Sequence, residues 1–274
     1  MESNIKGDKI VEYPLVTIVT PSYNQAKFIE ETILSIKNQD YLNIEHIVVD
    51  ANSTDGTLDI LKKYDGKIKW ISEPDNGQTE AINKGFKMSS GQICAFLNSD
   101  DSYVPGAFKT VVNYFREHPE VDMLMGNVNY IDENGKITKI SYKPPFSVGR
   151  MIRAGGSLVS QSGVFFRRSL FDSIGMFNET FHHGMDYDFY IRAGLKHKVK
   201  SISAVLANFR LHSESKTMTE SGQQGQPAEA LIVQKRYITK KDTPFYIKRG
   251  FDRLIQLNFK ILTILRTWIG TSFR

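Results

Sequence analysis

Along the first hundred residues the apolar positions switch repeatedly between two periods. Residues 15–20 (LVTIVT) are a β-branched apolar run, the pattern of a buried strand. Across 26–38, Ile29, Ile33 and Ile36 recur at helical spacing and define one apolar face. Residues 44–49 read as a second strand and 58–64 as a short helix, with Ser53, Thr54 and Asp55 ahead of it as capping side chains. A strand over 68–72, a helix over 79–88, a strand over 93–97 and a helix over 108–118 complete the series. This alternation predicts a parallel or mostly parallel sheet covered by helices.

The second half is less regular. Residues 121–132 read as a strand, and Glu133-Asn134-Gly135-Lys136 as a hairpin turn into 137–142. Pro144-Pro145 breaks the chain; a short strand over 163–167, a helix over 186–196 and a strand over 199–210 follow. Residues 213–227 are polar and include Ser221-Gly222-Gln223-Gln224-Gly225-Gln226-Pro227, which predicts a mobile loop before a basic helical tail.

Composition narrows the class. The 274 residues are 41% hydrophobic and 24% charged, which excludes a disordered or collagen-like chain. A single cysteine, Cys94, inside an apolar strand, excludes a disulfide framework and predicts a reduced, cytoplasmic setting. The net charge of +5 is uneven: residues 235–274 hold ten Lys/Arg against two Asp/Glu, and the rest is slightly acidic. A body-wide nucleic-acid surface is excluded on that count. Residues 1–13 are polar and show no leader pattern. No stretch reaches the roughly 18 uninterrupted apolar residues of a spanning helix; the nearest, 254–269, is broken by Lys260 and Arg266.

The chemistry collects after the strands. Pro21-Ser22-Tyr23-Asn24 follows the first, Asp50 to Gly56 the second, Glu73-Pro74-Asp75-Asn76-Gly77 the third, and Asn98-Ser99-Asp100-Asp101 the fourth. In an open α/β sheet the ligand crevice lies beyond the carboxyl ends of the strands, so these groups converge. Each taken singly is also ordinary turn chemistry. Adjacent carboxylates at Asp100 and Asp101 repel each other and favour a cation or a proton. Hard oxygen ligands of this kind suit Mg²⁺ or Mn²⁺ with substrate phosphates. Neither the Gly-x-Gly-x-x-Gly fingerprint, nor a phosphate-binding P-loop, nor a Gly-x-Ser-x-Gly elbow is present. The sole cysteine and the irregular histidine spacing argue against structural zinc.

The segments VTIVTPSYN (16–24), VVDANSTDGT (48–57), EPDNGQTEAINKG (73–85) and FLNSDD (96–101) resemble those of family 2 glycosyltransferases of the GT-A fold, in particular builders of O-antigen and capsular polysaccharide. The resemblance runs from about 15 to 217. It implies an α/β, Rossmann-like, mostly parallel central sheet flanked by helices, with the basic helical tail appended. A glycosyltransferase domain is expected over 1–217, its nucleotide-binding half over 14–118 and its acceptor half over 119–217, with loop and tail over 218–274. Pro21, Tyr23, Asn24 and Asp50, with Ser53 nearby, would hold the nucleotide base. Asp100 would face the ribose and Asp101 the metal, Mn²⁺ or Mg²⁺, while Asn98 replaces the family's first aspartate. Asn83 and Lys84 would approach the donor sugar and phosphates.

On the acceptor side, Gly184-Met185-Asp186 resembles the family's Glu-Asp motif at a helix start, with Met185 in place of Glu. That places Asp186 as the base that deprotonates the acceptor hydroxyl during inversion; a helix cap is the plainer reading of the same residue. Asp188 would support the loop. His182 and His183 suit an exposed loop better than a metal cluster with Asp186 and Asp188. His212 is expected near the diphosphate or metal, or else as a surface histidine. Gln161 would shape the acceptor pocket, and Arg167-Arg168 fits a solvated pair as well as a phosphate contact. The expected activity is hexosyl or N-acetylhexosaminyl transfer from a UDP-, GDP- or dTDP-sugar to a glycan or lipid-linked acceptor. Gln234-Lys235-Arg236-Tyr237 does not match the Gln-x-x-Arg-Trp of processive synthases. The rivals are a non-catalytic nucleotide-sugar or glycan-binding module and a sugar nucleotidyltransferase. Phe251, Leu254, Ile255, Ile261, Leu262 and Leu265, punctuated by basic residues, predict an amphipathic helix, either peripheral on the inner face of the cell membrane or packed on the body.

Overall fold

The structure is a computed structural model and describes residues 13–142 and 144–238. Its elements, in chain order, open with β1 (Val16–Ser22), α1 (Ile29–Lys37), β2 (Ile44–Asp50), α2 (Thr57–Lys62), β3 (Lys69–Ser72), α3 (Gln78–Lys87) and β4 (Ile93–Phe96). The predicted alternation is therefore present. β5 (Ser102–Tyr103), α4 (Ala107–Glu117), β6 (Met123–Ile131), β7 (Ile137–Ser141) and α5 (Val148–Ala154) come next. A 3₁₀ turn (Gln161–Gly163) leads into β8 (Val164–Arg167), α6 (Ser169–Ile174), α7 (Met185–Lys196), β9 (Val199–Arg210) and α8 (Glu220–Ile238).

Among the described residues the nine strands form one sheet, ordered β3-β2-β1-β4-β8-β6-β9-β5, with β7 beside β6. The first four are parallel neighbours; β8 runs antiparallel to β4 and β6, and β6 is parallel to β9. Register aligns the carboxyl ends: Ser22 lies opposite Asp50, and Asp50 opposite Ser72. The loops after these strands must therefore leave on one edge. The short β5 pairs antiparallel with β9, Ser102 opposite Asn208. That pairing carries the Asp100-Asp101 turn against Arg210 and the residues that follow it.

Two cores sandwich the sheet. Val19, Phe96, Met125 and Phe166 face α3 and α7, whereas Ile18, Ala95, Leu124 and Phe165 face α4. Successive residues go to opposite faces, as a pleated strand requires. On α4, Phe108, Val111, Val112 and Phe115 are buried, each worth about 1.5–3 kcal/mol relative to exposure. A Cβ at Gly85 would lie 2.4 Å from Val19 Cγ1, so glycine there lets α3 lie close on β1.

Two sequence expectations fail locally. Ser53 and Thr54 do not cap α2: its N-cap position is Gly56, and Asp55 Oδ1 accepts the Thr57 N–H at 3.0 Å. The polar stretch predicted as a mobile loop becomes helix from Glu220 onward, with Pro227 inside it. Its residues Val233 and Tyr237 bury against α5 and α7, and this tertiary burial outweighs the weak helix propensity of the Gly-, Gln- and Pro-containing run. The predicted amphipathic tail beyond 238 lies outside the described residues.

Candidate active site

Two cavities adjoin at the carboxyl edge of the sheet. The larger, about 1070 Å³, is lined by the strand-end loops: Pro21, Tyr23, Ala51, Asn52, Asp75, Gly77, Ser99, Asp100 and Asp101. The smaller, about 460 Å³, is lined by Phe96, Val159, Gln161, Asp186, Tyr187 and Pro227. Gln78, Asn98, His182, His183, Phe209, Lys216 and Thr217 belong to both walls. Two adjoining chambers with polar groups on the shared wall suit two substrates that must meet.

At the mouth of the larger chamber Tyr23 is open to solvent. Asn24 and Asn52, both in left-handed backbone (φ 51° and 59°), shape the two loops around it. The Asn24 N–H donates to Ser53 Oγ at 2.8 Å, and Asn24 Oδ1 accepts the Thr54 N–H at 2.9 Å. Asp50 is fully buried. One of its oxygens accepts the Ser53 hydroxyl at 2.5 Å; the other accepts the Ser53 N–H and the Ser72 hydroxyl, at 2.9 and 2.7 Å. Asn24, Asp50 and Ser53 therefore lock the loops together, while Pro21 and Tyr23 present surface to the chamber.

Asn83 and Lys84, expected at the donor, are directed elsewhere. Asn83 is buried, donates to Phe177 O and Glu179 Oε1 (both 2.8 Å) and accepts the Phe177 N–H at 3.1 Å, which commits both its amide hydrogens to holding the 177–179 loop. Lys84 pairs with Glu73 at 2.6 Å and Glu80 at 3.6 Å. Arg167 and Arg168 are half-buried and stand in neither chamber wall. Arg167 donates to Val121 O and Phe115 O, and Arg168 to Gly91 O.

The two adjacent aspartates part company. The Asp100 carboxylate lines the larger chamber and meets His212 Nε2 at 3.0 Å, the imidazole being packed on the Phe28 ring. Asp101 is 1% exposed; Oδ1 accepts the Arg210 N–H at 2.9 Å and Oδ2 the Gln161 amide at 3.1 Å. Burial, then the neighbouring Asp100 charge, raises the Asp101 carboxyl well above its ordinary range. Arg210 braces this turn: Nε donates to Asp100 O at 2.8 Å, Nη2 pairs with Glu31 at 2.6 Å, and the guanidinium stacks over Phe28. The cation-binding candidates are therefore Asp100 and His212; among the described residues no cluster of three His, Cys, Asp or Glu is assembled. Asp100 opens onto the larger chamber with the buried His212 ring behind it, so a divalent ion would meet the Asp100 oxygens and complete its shell with phosphate and water.

In the smaller chamber Asp186 stands in the first turn of α7, where Gly184 is the N-cap residue. Its Oδ1 accepts the Tyr187 N–H at 2.7 Å. Burial pushes the Asp186 carboxyl up to about 6 from 3.8, against the lowering effect of that N–H and of Lys216. A carboxylate so tuned is ionised at neutral pH yet basic enough to take a proton. Asp188 faces the other way, fully buried, pairing with Arg192 at 2.7 Å and accepting the Tyr237 hydroxyl at 3.0 Å, so it joins α7 to α8. Gln161 lines the chamber with its Oε1 buried and unpartnered.

Comparison with known proteins identifies the scaffold. Residues 17–175 match the pattern described as Glycosyl transferase family 2. The chain belongs to this family. An uncharacterized glycosyltransferase of Rickettsia felis is 30% identical to this family 2 chain over 211 residues, 73% of the chain and 35% of the relative. The hyaluronan synthase of Pasteurella multocida is 24% identical over 254 residues, 91% of the chain and 26% of that protein. The chain thus spans about a third or less of the length of these curated relatives. S. aureus TarS 1-349, solved in complex with UDP-GlcNAc, superposes with a TM-score of 0.67 at 22% identity, over 84% of this chain and 68% of that one. Mannosyltransferase PcManGT from Pyrobaculum calidifontis, in complex with GDP-Man and Mn²⁺, gives 0.65 at 18%, over 88% and 68%. At these identities they show the fold, which is GT-A-like.

Lys216 and Glu229 carry no sequence signal of a site. Lys216 stands on both chamber walls and donates to Gln78 Oε1 at 3.0 Å. Glu229 lines the larger chamber from α8, a helix the sequence pattern hides.

Proposed function

We propose that this chain is an inverting, metal-dependent glycosyltransferase. It moves a hexosyl or N-acetylhexosaminyl group from a nucleoside-diphosphate sugar to a glycan or lipid-linked acceptor in surface-polysaccharide synthesis. The observation that carries this is the half-buried Asp186 carboxylate in a chamber that adjoins the chamber lined by Asp100. The donor nucleotide occupies the larger chamber, with Tyr23 against the base and Asp100 and His212 as the residues that would hold Mn²⁺ or Mg²⁺. When bound, such an ion neutralises the departing diphosphate as a Lewis acid. Asp101, placed inside the turn, orients Asp100 rather than contacting an ion. The acceptor occupies the smaller chamber, where Asp186 takes the proton of the attacking hydroxyl. The UDP-GlcNAc and GDP-Man bound by the two solved relatives make UDP- and GDP-sugars the first donors to test. No described helix is long and apolar enough to cross a membrane; the basic residues 245–274 would bring the enzyme to an anionic inner leaflet.

The test is a panel of UDP-, GDP- and dTDP-sugars, with and without Mn²⁺, followed by proton NMR of the product. Metal-dependent donor binding and a product of inverted anomeric configuration are expected. Release of pyrophosphate would identify a nucleotidyltransferase instead, and donor binding without transfer or hydrolysis a binding module.

A further inference from the structure

Helix α8 reaches into the start of α7. Glu229 Oε1 accepts the His182 N–H at 3.0 Å, and Oε2 accepts the His183 and Gly184 N–H groups, both at 2.7 Å. Gly184 has no side chain with which to cap α7. In a capping box a Glu three residues into the helix bonds the N-cap amide; here a carboxylate 45 positions along the chain does so and takes the two preceding amides as well. Charge-assisted bonds at a helix N-terminus gain further from the helix dipole.

The seat under this contact is built for close approach. Gly222, Gly225 and Glu229 recur at i, i+3 and i+7 and share one face of α8. A Cβ at Gly222 would sit 1.8 Å from Lys216 O, and one at Gly225 would sit 2.4 Å from His183 Cδ2. Farther along α8, Gln234 donates to Ile152 O at 2.5 Å and Tyr237 to Asp188 Oδ1 at 3.0 Å. Lys216 donates to His182 O, so the loop ahead of Asp186 is held through both its N–H and its carbonyl groups.

We propose that Glu229 is a positioning residue for Asp186: it fixes the 182–184 loop so that the half-buried carboxylate two residues on is presented to the acceptor hydroxyl. This rests on Asp186 being the base. The charged and titratable groups around Asp186 and its loop are Lys216 after β9, Glu229 on α8, His182 and His183 in the loop, and Tyr190 and Asp188 on α7. Of these, Lys216 lowers the Asp186 carboxyl; burial alone raises it. A loosened loop admits water and removes the raising effect.

The experiment uses the full chain with Glu229→Ala, Glu229→Gln and Gly225→Ala. Glu229→Ala should raise amide exchange over 182–184 and lower kcat about tenfold or more, because a misplaced base loses rate. The acid limb of kcat should move from about 6 toward the ordinary 3.8 of a hydrated aspartate. Glu229→Gln, which keeps an acceptor oxygen, should fall between the two, and Gly225→Ala, which displaces the seat while retaining Glu229, should move the limb in the same direction. An acid limb that stays in place while kcat falls, or unchanged exchange over 182–184, would overturn the proposal and leave α8 as a brace. If Asp186→Asn transfers normally, the base reading has failed and Glu229 loses its role with it; if that variant is inactive and the limb does not move, this inference alone has failed.

Discussion

Asp186→Asn should make the protein more stable at neutral pH while it disables transfer. In the folded chain, burial raises this carboxyl from 3.8 to about 6, so the native state binds its proton more tightly than the unfolded state does. The contribution to stability is then fully present below pH 3.8 and is lost as pH rises through about 6. At about 1.4 kcal/mol per pH unit, the shift costs the ionised wild type about 3 kcal/mol at pH 7 and above. Asn is close in size, never ionises, and retains an oxygen for the Tyr187 N–H, so it avoids that cost. The variant should therefore melt several degrees higher at pH 7.5, at about 2–4 °C per kcal/mol for a domain of this size. At pH 4 the two proteins should melt together. Thermal unfolding followed by circular dichroism at half-unit steps from pH 4 to 8 gives the difference curve, in which the other titrating groups cancel. A difference that does not grow with pH would refute the claim that Asp186 is held desolvated.

Asp100→Asn should abolish the Mn²⁺ dependence of nucleotide binding in titration calorimetry, whereas Asp101→Asn should keep it, since both Asp101 oxygens face Arg210 and Gln161; equal losses would contradict the division. Burial holds His46 neutral, its pKa pushed down to about 3, beside Thr20 Oγ1 at 3.0 Å. The unfolded chain takes up this proton below about 6.5, so stability is present above that pH and declines as pH falls toward 3. Urea melts at pH 7 and 5 should show a smaller acid loss for His46→Gln than for wild type. Removing residues 248–274 should leave transfer to a soluble acceptor intact and reduce flotation with anionic liposomes; equal flotation would place the tail on the body.

The parts of the fold legible in the sequence are those set locally. β1 to β4 and their intervening helices follow from short-range periodicity, and the strand-end loops from Pro21, Asp50, Asp75 and Asp100 standing just past apolar runs. The division between Asp100 and Asp101 was not legible. It depends on the β5–β9 pairing, which brings the Arg210 N–H to a carboxylate 109 residues away. Spacing places Asn83 and Lys84 on a helix but does not say which neighbours they meet; the 177–179 loop and Glu73 decide that. Helix α8 was hidden because Gly222, Gly225 and Pro227 are locally loop-like, and what holds it helical is the long-range burial of Val233 and Tyr237. A capping carboxylate that acts across 45 residues leaves no local signature at all.

On the proposed mechanism, transfer chemistry resides at Asp186 and donor binding in the neighbouring chamber. Transfer turnover and donor affinity measured together on folded Asp186→Asn test it most directly. Turnover should fall by roughly 10²-fold or more, the contribution of a positioned base, while Mn²⁺-dependent donor affinity stays within about twofold. Near-normal transfer in that variant would contradict the account, because an aspartate that merely opened α7 is replaced by asparagine at little cost.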